Sequence, residues 1–193
     1  MNTALSRRQF VSASALAMAG LALGCSRRSD AAPARPGKVA IVEFGNDGRR
    51  LRAATVAKVV KTDAQWKRQL SPLAYQVTRH EGTERAYTGA LLDEHRKGVF
   101  RCICCDTALY DAATKSESGT GWPSFWQPIA KANVVERRDF AIGLPRTEIS
   151  CVRCNAHLGH VFEDGPPPTG LRYCMNSVAL RFAPADARTR EAA

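Results

Sequence analysis

No apolar run in the 193 residues reaches the ~18–20 needed to cross a bilayer, which excludes a mature membrane-spanning helix. Aromatic residues are sparse at 7%, and neither an internal repeat nor a long low-complexity tract is present. With 24% charged residues, that composition excludes a collagen-like, coiled-coil or wholly disordered chain. Acidic residues are the scarce charge, 18 against 28 basic, a net +10. The excess is unevenly spread. Residues 1–37 hold five arginines against Asp30, leaving 23 basic and 17 acidic residues beyond. Part of the basicity therefore belongs to a leader, and nothing in it demands a polyanionic partner. At 45% hydrophobic, the chain can fill one cored domain.

Ser6-Arg7-Arg8-Gln9-Phe10 precedes a short Ala-rich run, Val11 to Gly24. Paired arginines before such a run read as a twin-arginine export signal, with residues 1–37 as signal and linker. A buried N-terminal helix is the alternative, disfavoured because the run has no amphipathic face. Gly24-Cys25 offers a lipoprotein-type junction, although Ala22 stands where a branched aliphatic is usual. Ala32-Pro33-Ala34 offers an ordinary small-residue cleavage site. Either route predicts a periplasmic protein, with lipid on Cys25 as its only membrane contact beyond the leader.

Residues 38–62 read as an N-terminal β extension, two short runs around the turn Gly45-Asn46-Asp47-Gly48. Thr62 or Asp63 can cap one helix, and Ser71-Pro72 can open a second. From Phe100 onward, short β-like segments alternate with Gly, Pro, Asn and Asp. That texture predicts a mainly antiparallel β domain over 63–183, followed by a polar tail over 184–193.

Two C-x-x-C pairs stand out, Cys102 with Cys105 and Cys151 with Cys154. Two such turns can close a sulfur tetrahedron around structural Zn²⁺, stapling distant hairpins. Disulfides are the alternative that export permits. A pair of redox dithiols fits less well, because neither pair sits at a strand-to-helix junction. Setting the four ligands and Cys25 aside leaves Cys104 and Cys174. Cys174 lies in a β-like run, where Arg172 and Asn176 should share its face. His157, His160 and Asp164 fall in the same 20-residue stretch. Each alone reads as packing or a satisfied core residue; together they read as a thiol active site. Upstream, the turn Gly121-Trp122-Pro123-Ser124-Phe125-Trp126 reads either as core or as an aromatic wall for a small apolar group.

Together, Gly121-Trp122-Pro123-Ser124-Phe125, the two C-x-x-C pairs, HLGHVFEDGP (157–166) and PTGLRYCMNSVALRF (168–182) resemble the B-type peptide-methionine sulfoxide reductases. The likeness spans about Lys67–Ala183. It implies two small antiparallel sheets with short N-terminal helices, stapled by zinc. It implies Cys174 as nucleophile toward the R epimer of methionine sulfoxide, protein-bound or free. Trp122 and Phe162 would contact substrate, while His157, His160, Asp164, Arg172 and Asn176 would form the polar network. The chemistry would pass through a sulfenic acid on Cys174, reduced by a thioredoxin-like partner. A proton must reach the departing oxygen, and His160 is the first choice to supply it or to orient water.

One position departs from the family pattern. Thr120 stands where many members carry a resolving cysteine, which leaves Cys104, Cys25 or an external thioredoxin-like thiol to reduce the sulfenic acid, the external thiol favoured. Two competing readings remain. One is a zinc-ribbon module for nucleic acid or peptide, which gives Cys174 no purpose; the other is an inactive relative, which conflicts with the retained polar residues.

Overall fold

The computed structural model describes residues 36–139 and 145–185. The leader readings, Cys25 and the Ala32-Pro33-Ala34 site lie outside these residues. A β-hairpin comes first, β1 (Lys38–Phe44) against β2 (Arg50–Ala57), closed by the predicted Gly45–Gly48 turn. Thr62 then caps α1 (Asp63–Gln69): its hydroxyl accepts from Gln65 N–H while the Gln65 side chain accepts from Thr62 N–H. Ser71 caps α2 (Pro72–His80), with Pro72 in the first turn where its missing donor costs nothing. Both helix starts fall where the sequence placed them.

The domain proper has two antiparallel sheets. A three-stranded sheet orders β11 (Leu180–Pro184), β3 (Gly98–Cys102) and β4 (Ala108–Asp111). A larger six-stranded sheet runs β5 (Lys115–Ser116), β6 (Ser124–Phe125), β10 (Arg172–Met175), β9 (His157–Phe162), β8 (Arg146–Cys151) and β7 (Val134–Asp139). Mainly β architecture with short N-terminal helices is thus as expected. One boundary moves: β11 runs through Pro184, and Ala185 N–H still bonds Lys97 O, so the ladder enters the segment read as tail. Among the described residues, no helix is long and apolar enough to cross a membrane.

Side chains from both sheets form the core. Tyr110 stacks on Phe125 at 4.4 Å, Phe100 meets Phe125 edge-on at 4.9 Å, and the Tyr110 hydroxyl reaches Met175 Sδ at 3.1 Å. Burial alternates along β10: Tyr173 and Met175 face this core, while Arg172 and Cys174 face outward. That alternation presents the thiol.

Candidate active site and metal centre

The strand register builds the outward face. Cys174 on β10 lies opposite His160 on β9, which lies opposite Glu148 on β8. One row along the same face, Arg172 pairs with Phe162, and Asp139 pairs with Arg146. Gly159 lets β9 approach closely, since a Cβ there would sit 2.1 Å from the Cys174 carbonyl oxygen. Tight packing beside the thiol is the physical reason for glycine in His157-Leu158-Gly159-His160.

Cys174 opens into a cavity of about 140 Å³, which Trp122, His160, Phe162 and Asn176 also line. The Trp122 indole N–H donates to Glu84 O at 3.1 Å, fixing the ring as one wall. His160 Nε2 lies 2.9 Å from Asp139 Oδ2, and the same oxygen takes a 2.5 Å bond from Arg146 Nη2. Burial pushes the His160 imidazole below its ordinary pKa. The Asp139 hydrogen bond pulls it back up, while the Arg146 and His157 charges push it down again.

Other expected members sit differently. His157 is buried, its Nδ1 2.8 Å from Glu148 Oε1, and its Nε2 has no hydrogen-bond partner among the described residues. Its ring stands edge-on to the His160 ring at 5.3 Å, so it backs His160 and does not line the cavity. Arg172 forks onto Asp164 with two 2.8 Å bonds and lies over the Phe162 ring at 4.4 Å. The Asp164 carboxylate raises the Arg172 pKa, with a smaller contribution from Cys174. Asp164 itself is exposed and belongs to the rim.

Asn176 departs from the expected strand geometry. Strand β10 ends at Met175, and Asn176 precedes a 3₁₀ turn over Ser177–Ala179. Its Oδ1 accepts from Glu84 N–H at 2.9 Å and its Nδ2 donates to Leu158 O at 3.1 Å. The amide is therefore anchored by the scaffold while it borders the cavity.

Sequence reasoning missed Glu84, Asp139, Arg146 and Glu148. Three of them sit on the β7–β8 hairpin, where opposite charges alternate across the strands, a cross-strand signal. The connection between those strands carries Gly143 and Pro145, which mark a reversal of the chain but do not fix the register of the pairing. Glu84 had no local signal at all.

The four C-x-x-C sulfurs converge, all within 4.8 Å of one another. Cys102 and Cys154 are 3.6 Å apart and Cys105 and Cys151 3.5 Å. A tetrahedron with ~2.3 Å metal–sulfur bonds has edges of roughly 3.8 Å, so the set fits a bound metal. It does not fit disulfides, whose sulfurs lie ~2.05 Å apart, and all four thiols are free. The two turns are built alike. Asp106 N–H bonds Cys102 O and Asn155 N–H bonds Cys151 O, each at 2.9 Å, with Asp106 and Asn155 both left-handed. One turn joins β3 to β4 and the other joins β8 to β9, so a metal here ties the two sheets together.

The fold and this cavity describe a β protein stapled by four cysteines, with a partly exposed thiol beside an indole and an imidazole. The SelR domain model matches residues 70–184. Peptide methionine sulfoxide reductase MsrB of Pseudomonas putida (strain W619) is 55% identical over 129 residues, covering 67% of this chain and 97% of the relative. The MsrB of Thiobacillus denitrificans (strain ATCC 25259 / T1) is 55% identical over 126 residues, covering 65% of this chain and 96% of the relative. The chain belongs to the MsrB family of peptide methionine sulfoxide reductases, and it is an oxidoreductase acting on methionine sulfoxide. The β1–β2 hairpin lies outside the matched residues.

Proposed function

We propose that this protein reduces the R epimer of methionine sulfoxide through a sulfenic acid on Cys174. One observation carries the reading: the Cys174 cavity has an indole wall and, beside it, an imidazole held by a carboxylate. The substrate methyl packs on Trp122, with Phe162 completing the apolar side. The sulfoxide oxygen points toward His160. The Cys174 thiolate attacks the sulfoxide sulfur as His160 delivers a proton to the oxygen, directly or through water. The S–O bond and the new S–S bond then break as the hydroxyl passes to the Cys174 sulfur and methionine leaves. Overall, one thiol and one sulfoxide become a sulfenic acid and methionine. Arg172, held by Asp164, places positive charge near the thiolate. His157 and Asn176 hold the surrounding geometry.

An external dithiol then completes the cycle. Its first thiol attacks the sulfenic sulfur and releases water; its second thiol releases Cys174 and leaves the partner oxidised. A thioredoxin-like protein has this chemistry. We assign the metal as Zn²⁺, since four thiolates in a closed tetrahedron suit it and leave no open position for substrate. Its part is structural. From the paired arginines of the leader, we place the enzyme beyond the inner membrane, repairing exported proteins. Fractionation of cells carrying the full chain, with Arg7 and Arg8 replaced by lysine as control, tests that location. Retention of wild-type protein in the cytoplasm would overturn it. The catalytic reading is tested by turnover of separated sulfoxide epimers.

A further inference from the structure

Glu84 is buried, with 2% of its surface exposed, and it makes no ion pair among the described residues. Burial raises its carboxyl pKa, and two backbone donors oppose that rise. Ser177 N–H reaches Oε1 at 2.5 Å and Val178 N–H reaches Oε2 at 3.0 Å. Its backbone is engaged as well. The amide donates to Asn176 Oδ1 at 2.9 Å, and the carbonyl accepts the Trp122 indole N–H at 3.1 Å. One residue thus bonds the indole wall, the amide at the cavity edge and the turn that follows the nucleophile strand. Its neighbour Thr83 lines the cavity itself.

We propose that Glu84 is a positioning residue for sulfoxide reduction, its carboxylate pinning the segment whose backbone aims Trp122 and Asn176 at the substrate. This rests on the function proposed above. The carboxylate's hydrogen bonds go to Ser177 and Val178 N–H and not to Cys174 or a cavity-lining side chain, so its loss should displace the wall and leave the thiol chemistry alone. Glu84→Gln retains the shape but turns an amide donor toward an N–H that needs an acceptor.

The test measures four properties of E84Q in the full, metal-loaded protein. Metal content and the rate of Cys174 alkylation are expected within twofold of wild type. KM for the R-sulfoxide is expected to rise about tenfold with kcat changed less than threefold, the pattern of a displaced binding wall that ground and transition states share. Exchange of the Trp122 indole proton, followed by NMR without substrate, should accelerate. Glu84→Asp keeps the charge but shortens the reach, and is expected to show the same pattern, serving if E84Q does not accumulate. Unchanged KM and indole exchange in a folded variant would overturn the proposal. So would metal content and alkylation falling together with activity, which marks general packing. Wild-type protein that reduces neither epimer would defeat the proposed function, while the indole exchange still reports on Glu84.

Discussion

The Thr120 hydroxyl lies 3.8 Å from the Cys174 sulfur. The position before the tryptophan turn thus reaches the nucleophile, but carries a side chain that cannot form a disulfide. Treating the wild-type domain with one equivalent of sulfoxide and no reductant should leave a dimedone-reactive Cys174. Thr120→Cys should instead give an intramolecular disulfide between position 120 and Cys174, mapped by mass spectrometry. Of the two other candidate resolving thiols, Cys104 is buried at the metal turn with Gln69 bonded to its carbonyl, which argues against it, and Cys25 lies outside the described residues. A mapped Cys104–Cys174 bond in wild-type protein would contradict this account of recycling.

Metal removal should unfold the domain, because the two sulfur turns join different sheets. Cys102→Ser or Cys151→Ser is expected to lose the bound metal and most of the thermal transition, since structural metal contributes to folding directly. Metal analysis and calorimetry check this. A metal-free protein melting at the wild-type temperature would count against the assignment.

Much of this was legible in the chain. Capping residues at Thr62 and Ser71, the hairpin turn at 45–48 and paired cysteines are local signals, and each sits where its chemistry required. The thiol face was readable for Arg172 and Cys174 from strand alternation. Asn176 was not, because its own anchoring to Glu84 N–H and Leu158 O accompanies the break of the strand at Met175. Asp139 and Glu148 are long-range partners of the histidines, and such pairings depend on register that no short motif encodes.

Proton delivery by His160 predicts a pH signature. Burial lowers its pKa, so the unfolded chain binds the proton first, and its contribution to stability is lost as pH falls below the ordinary value of 6.5. Asp139→Asn removes the interaction that opposes this lowering, leaving burial, Arg146 and His157. The alkaline limb of kcat that reports His160 protonation should then move to lower pH, with the activity loss larger at pH 8 than at pH 6. His160→Gln should lower kcat by about 10²–10⁴. Superimposable wild-type and Asp139→Asn profiles would remove His160 from this role.

Asn133 bonds the N-terminal hairpin to the body of the domain. Its side chain accepts from Val42 N–H and donates to Val42 O and Ala108 O, each at 2.8 Å, and its carbonyl accepts from Val152 in the second cysteine turn. Asn133→Ala should cost about 2–3 kcal/mol, since buried backbone groups lose their partners. Urea unfolding measures the cost. A change under about 0.5 kcal/mol would show that the hairpin is held by other contacts.

The central claim concerns geometry at sulfur. With the methyl on Trp122 and the oxygen toward His160, inversion places oxygen against the indole and methyl among polar groups. An unpaired polar group costs ~1–3 kcal/mol, roughly 5- to 150-fold in rate. The direct measurement is turnover of the separated R and S sulfoxides by the zinc-loaded protein, beside folded Cys174→Ser. The account predicts reduction of the R epimer, little or none of the S epimer, and no turnover by Cys174→Ser. Equal turnover of both epimers, or activity that survives loss of the Cys174 thiol, would contradict it.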